Sequence, residues 1–252
     1  MIIIIILIII IILIILLVLK NKETFNNNLN IKYYTKKELE NYLISDPDDY
    51  YKSFNKIDYK VRNINSLDEY NSIIKSSCTD CINNINYRDI INKCINTANN
   101  KLKKYKCEGF DGEKCANIQW NIGLIKDNNY ENGLPHTRHN VIILPVSIIN
   151  NNMVKTLIHE KIHVYQKVYP DDINKYLKKN NYTKYKLRNE IDNTRANPDM
   201  DKWIYKNKEG NIMYAIYNDN TKSISDVKIM PINNYMYEHP FEYMAYDISS
   251  NL

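Results

Sequence analysis

The hydrophobic pattern divides the chain sharply. Residues 1–19, MIIIIILIIIIILIILLVL, are apolar without a break, whereas from Lys20 onward apolar residues come singly or in short periodic groups. As a helix the run spans about 28 Å at 1.5 Å per residue, close to the hydrocarbon thickness of a bilayer. A cleaved signal peptide needs a basic start and a small-residue cleavage site. The run begins at Met1 and ends in Lys20-Asn21-Lys22, with neither. The pattern therefore predicts an uncleaved transmembrane anchor over residues 1–19, single-pass membrane localisation and the lipid bilayer as a partner. Lys20 and Lys22 argue for a cytoplasmic remainder by the positive-inside rule, while cysteines further along argue for the opposite side.

Residues 20–34 are polar and Asn-rich, a flexible tether. Beyond it, Thr35-Lys36-Lys37-Glu38 has the capping-box pattern and predicts a helix to about Leu43. Asp46-Pro47 predicts a second helix start, with Asp as N-cap and Pro in the first turn. Ser66 predicts the cap of a helix to about Lys75, and Ile90, Ile91, Cys94, Ile95 and Leu102 mark a longer one over 87–104. From Asn117 the texture changes. Ile118 to Ile125 predicts a strand, Asn140 to Pro145 a second, and residues 152–168 a helix. A hairpin is expected around Glu209-Gly210, and Pro240 opens a last helix. The order predicts an α+β domain over 35–252, with a helical part at 35–116 and a strand-and-site part at 117–252.

Composition changes this picture little. The excess of Ile, Asn, Lys and Tyr, with 22 Tyr against 4 Phe, follows AT-rich codons and resembles, in composition alone, proteins of large DNA viruses or AT-rich protists. The formal net charge of +5 is spread over mixed acidic and basic residues, so no nucleic-acid partner is expected. Cys78 and Cys81 form a CxxC, but Cys94, Cys107 and Cys115 stand singly and supply no second pair for a zinc knuckle. Unlinked thiols and structural disulfides both fit.

The chemistry concentrates in His159-Glu160-Lys161-Ile162-His163. Residues four apart share a helix face, so the two imidazoles can aim at one ion while Glu160 reaches the water-filled position beside it. This HExxH pattern resembles the zinc-binding helix of zincin metallopeptidases. Thr156, Leu157, Ile162, Val164 and Tyr165 resemble the family's extended pattern; Lys161 departs from it, and is expected to snorkel out of the cleft wall. Glu242, in His239-Pro240-Phe241-Glu242-Tyr243-Met244-Ala245, resembles the E-x-x-A glutamate ligand of gluzincins, more particularly the lethal-factor type. There Ala245 lets two helices lie close. Glu238, His239, Glu190 and Asp192 are the alternatives for the third ligand, and a first-turn Glu is also favoured by the helix dipole alone.

The resemblance implies a zincin-like fold with Zn2+ held by His159, His163 and Glu242, and Glu160 as general base. Tyr235, seven residues before Glu242, takes the role of oxyanion donor, with Tyr237 the competitor. It also implies a strand at the cleft rim where an extended peptide adds by main-chain hydrogen bonds. His136 and Arg138, just before the predicted rim strand, are candidates to bind substrate; His136 and His139 also fit a second ion or a structural role. Residues 48–76 loosely resemble uncharacterised metallopeptidase-like proteins of giant viruses. The expected activity is that of a membrane-anchored zinc metalloendopeptidase acting on peptide or protein. The alternatives are another metal-assisted hydrolysis, or a non-catalytic membrane-anchored structural or virion protein whose metal site is structural or lost.

Overall fold

A computed structural model describes residues 10–14, 29–80, 85–126, 128–218, 220–230 and 237–252. The chain forms two compact units, Met1–Asn30 and Ile31–Leu252. In the first, residues 10–14 are helical and exposed. Five helical residues cover about 7.5 Å, a quarter of a bilayer's hydrocarbon thickness. Among the described residues no helix is long and apolar enough to cross a membrane. The expected anchor over 1–19 is corrected on that finding, and membrane localisation and the bilayer as partner go with it. Residues 1–9 and 15–19 lie outside the described residues, as does most of the tether.

The second unit is mixed α+β. Its first half runs β1 (Ile31–Tyr33), α1 (Lys36–Ile44), α2 (Lys56–Val61), α3 (Leu67–Ser77), β2 (Cys78–Thr79) and α4 (Ile85–Leu102). The short hairpin β3 (Lys106–Cys107) and β4 (Phe110–Asp111) leads to α5 (Gly112–Asn117). Then come β5 (Trp120–Ile125), β6 (His136–Arg138), β7 (Val141–Pro145), α6 (Val154–Val168) and α7 (Pro170–Lys179). The chain closes with β8 (Thr183–Leu187), β9 (Trp203–Lys206), β10 (Ile212–Tyr217), β11 (Val227–Met230) and α8 (Pro240–Asn251).

Local chemistry accounts for the boundaries. The capping box at Thr35 forms as expected, with its hydroxyl accepting the Glu38 N–H, and Ser66 caps α3 on Glu69. Asp46-Pro47 opens no helix, contrary to expectation. Asp46 takes a positive φ of 49°, and its carboxylate accepts the N–H groups of Tyr51 and Lys52 from the following turn while facing Arg138. An Asp with a guanidinium partner across the fold is drawn away from a local cap.

The principal sheet has the order β1-β5-β7-β6, with β2 paired to the far end of β5. β1, β5 and β7 are mutually parallel, and β6 is antiparallel to β7 with Thr137 opposite Ile142. All residues of β5 and β7 are buried, which is why both read as apolar runs rather than alternating patterns. At Gly123 a side chain would come within 2.5 Å of Leu39 on α1, so the strand centre takes the residue without one. The expected rim strand, 140–145, is interior; β6 covers its flank and forms the edge. The second sheet, β11-β10-β9-β8, is antiparallel, and the hairpin expected at Glu209-Gly210 is there, with Gly210 at φ 80°. Helix α6 packs against both α4 and α8.

Candidate metal centre

Helix α6 buries Leu157, Ile158, Ile162 and Val164, fixing its rotation so that His159 and His163 share the face toward α8. Helix α8 starts where the sequence suggests: Pro240 sits in its first turn and the His239 ring accepts the Phe241 N–H. Two contacts hold this helix end on α6. The Gln166 amide donates to the Phe241 carbonyl at 3.0 Å, and Ala245 is fully buried, allowing close approach. Glu242 is thereby carried to the histidines. Its Oε2 lies 3.5 Å from His159 Nε2 and 3.7 Å from His163 Nε2, and the two Nε2 atoms are 3.1 Å apart. One ligand atom from each residue lies within 4.8 Å of the others; among the described residues this is the sole grouping of three or more His, Cys, Asp or Glu suited to a metal ion.

The donor set fits a cation. Because the Gln166 nitrogen is committed to Phe241, its oxygen faces His163 Nδ1 at 2.9 Å, and that nitrogen must carry the proton. His163 Nε2 is thereby the ring atom left to face a cation, aimed at His159 and Glu242. The Glu242 carboxylate is divided in the same way: Asn197 donates to Oε1 at 2.9 Å, and Oε2 faces the imidazoles.

Electrostatics agree. Burial opposes charge on His163, but Asp199 and Glu242 outweigh it and raise the imidazole to about 9. Burial also opposes ionisation of Glu242, yet hydrogen bonds to His159 and His163 hold it well below the usual carboxylate range. Glu160 goes the other way. Burial first, and then Asp199, push it well above that range, against the pull of His163 and a 2.9 Å hydrogen bond from the Thr137 hydroxyl. Three carboxylates around two imidazoles make a place that draws positive charge.

His159, Glu160, Glu242 and His136 line one cavity of about 590 Å³. His163 stands fully buried behind it. The His136 ring is fixed by Nδ1 donating to the Leu134 carbonyl at 2.8 Å, and Nε2 has no hydrogen-bond partner among the described residues. Arg138 is not brought to the cavity. It is fully buried, bonded to Asp46 and Asp48, each at 2.6 Å, and to the Tyr130 hydroxyl. Tyr235 lies outside the described residues. Lys161 does not snorkel: its ammonium is buried under the Trp120 ring, donates to the Ile118 and Gln119 carbonyls, and is pushed down to about 7 by burial.

The four described cysteines are free: Cys78, Cys94 and Cys115 are buried and Cys107 is exposed, while Cys81 lies outside the described residues. Several functional neighbours gave no motif to read. Gln166, Thr137 and the pair Asn197 and Asp199 reach the cluster from three separate segments, and Tyr246 meets His159 edge-on at 4.4 Å. Only the position of Gln166, three residues after His163 on the same helix, offered a usable signal. No protein-family profile matches the chain, and no curated protein or solved structure matches it either. The centre thus stands on its own geometry: a His159, His163 and Glu242 cluster able to hold a metal ion, consistent with a zincin-like arrangement.

Proposed function

We propose that this centre binds zinc and hydrolyses peptide bonds, with Glu160 as the proton carrier. The observation that carries the reading is the convergence of two imidazoles and a distant carboxylate beside Glu160, at the wall of a cavity large enough for a substrate segment. Structural zinc sites are closed by four protein ligands, whereas catalytic ones keep three and leave a position open. Three ligands beside an open cavity match the second kind.

Zinc held there would supply Lewis acidity, polarising a substrate carbonyl and acidifying water at the same position. The protein supplies the rest. Glu160, oriented by Thr137, takes a proton from the attacking water and delivers it to the departing amine. Burial excludes competing solvent and raises that carboxyl, favouring the protonated form that delivers the proton to the departing amine. Gln166 and Asn197 hold the imidazole and the carboxylate that face the ion. Tyr235 is carried forward from the resemblance as the donor to the developing oxyanion.

The test is metal analysis of the full-length protein alongside peptide turnover. One equivalent of zinc is expected in the native protein, lost in both His159→Ala and Glu242→Ala. Glu160→Gln should keep the metal while turnover falls by about 10²–10⁴-fold. A folded native protein that takes up no zinc ends the reading.

A further inference from the structure

We propose that the cavity receives the amino-terminal end of a peptide and releases residues from that end, with Asp199 holding the terminal ammonium. The inference rests on the hydrolytic reading above and narrows its substrate.

The edge strand offers little to an extended chain. Strand addition needs a row of free backbone donors and acceptors along the open edge. On β6 the Thr137 N–H is taken by the Asp199 carboxylate at 2.6 Å, and the Thr137 carbonyl accepts the Lys167 ammonium at 2.9 Å. Two residues earlier stands Pro135, which has no N–H. Just beyond the strand, the His139 N–H is taken by Asp48. No N–H at these three positions is free to hold a substrate strand.

The groove beside β6 is also divided. Ala196, Asn197 and Pro198 line the metal-side cavity and a second cavity, of about 640 Å³, that opens beside His139 and Asp48. The segment between them is firmly held. Lys167 donates to the Pro198 carbonyl at 2.7 Å as well as to Thr137, Asn197 bonds Glu238 and Glu242, and Asp199 bonds Thr137. A chain entering the metal-side cavity meets this partition and stops, so a chain end suits the site better than a chain interior.

The chemistry at the stop selects which end. Asp199 is only 7 % exposed and lines the metal-side cavity. One oxygen accepts the Thr137 N–H; the other has no hydrogen-bond partner among the described residues. A buried carboxylate is costly without a cation. Lys167 and His163 lie near enough to feel its charge, yet among the described residues neither forms an ion pair with it, and Arg195 is committed to Glu238. A peptide's terminal ammonium would give it the direct ion-pair partner it lacks among the described residues. A terminal carboxylate would instead face Asp199, Glu160 and Glu242 together. The reaction is then addition of water to the first peptide carbonyl and cleavage of its C–N bond, with the proton passing through Glu160 to the leaving amine. One free amino acid and a shortened peptide result.

The test uses zinc-loaded full-length protein and a single peptide prepared free, amino-acetylated and carboxyl-amidated, with products read by mass spectrometry. Stepwise loss from the amino end is expected. Acetylation should lower kcat/KM by about tenfold or more, as expected for losing a hydrogen-bonded charge, and amidation should not. Asp199→Asn, which keeps an acceptor for Thr137, should bring the ratio of free to acetylated kcat/KM toward one, a readout indifferent to overall loss of activity. Internal cleavage of the acetylated peptide at a comparable rate, or trimming from the carboxyl end, overturns this inference and leaves the hydrolytic reading standing. No cleavage of any form overturns both.

Discussion

Two buried clusters of charge in this molecule follow opposite rules. In the one that ties α2 and α3 to Glu131, the acid receives two hydrogen bonds from Arg62, at 2.8 and 2.9 Å, and one each from the Tyr50 and Tyr70 hydroxyls. Arg138 likewise faces Asp46 and Asp48. In the metal centre, Glu160, Glu242 and Asp199 are buried among imidazoles, an amide and a hydroxyl, and among the described residues none is ion-paired to a guanidinium or ammonium group. The first cluster settles its charge internally and is architecture. The second meets its negative charge with imidazoles, which can give up a proton to a metal ion, rather than with fixed guanidinium or ammonium groups, and that is how a site for an external cation differs from a structural ion pair.

The sharpest way to break this contrast is to remove the cation from the balanced cluster. Arg62→Met strands Glu131 and should cost about 3–5 kcal/mol in urea unfolding. A loss below about 1 kcal/mol would mean the cluster is not the internally balanced structure described. The same pair gives a pH signature. Burial opposes ionisation of Glu131, but Arg62 overrides it and holds the carboxyl at about 2, below its ordinary 4.5. A depressed acid contributes stability above its unfolded pKa and loses it as pH falls. About 3 kcal/mol should therefore disappear between roughly pH 4.5 and pH 2. Acid titration of stability in Glu131→Gln should lack that component.

In the metal centre the effects are smaller and concern the ion. Asn197→Leu frees Glu242 Oε1 and should weaken zinc binding about 10–100-fold by competition with a chelator, with little change in secondary structure. Unchanged affinity would remove Asn197 from the metal's support. The smallest effect has the opposite sign from Arg62→Met. Glu160→Gln removes a carboxylate from an overcharged site, so metal-free stability should hold or rise within about 1 kcal/mol. A marked fall would erase the distinction between the clusters.

How much of this was legible in the sequence follows the range of each interaction. Thr35, Ser66, Gly210 and Pro240 act within a few residues, and the elements they bound match the reading. The spacing of His159 and His163 is likewise local, and Glu242 stood out because Glu242 to Ala245 resembles the E-x-x-A pattern of the gluzincin ligand helix. What escaped depends on contacts across the fold. Strand β6 is three polar residues, all buried, so it has neither alternation nor an apolar run. Asp46 looked like a cap because its partner, Arg138, lies 92 residues away. Lys161 looked anomalous in a zincin helix until the Ile118 and Gln119 carbonyls came to meet it. Asn197 and Asp199 lie in no motif of the sequence, and only the folded chain gives them Glu242 and Thr137.

Helix α6 carries His159, His163 and Lys167 at successive intervals of four, a single stripe along one face. The first two residues of the stripe face Glu242; the third fastens the carbonyls of Thr137 and Pro198, which belong to the edge strand and the partition. One rigid rod thus sets both the spacing of the metal ligands and the width of the channel beside them. An insertion or a kink between His163 and Lys167 would disturb reach and coordination together. For anyone redesigning this centre, the metal and the shape of its substrate are a single variable.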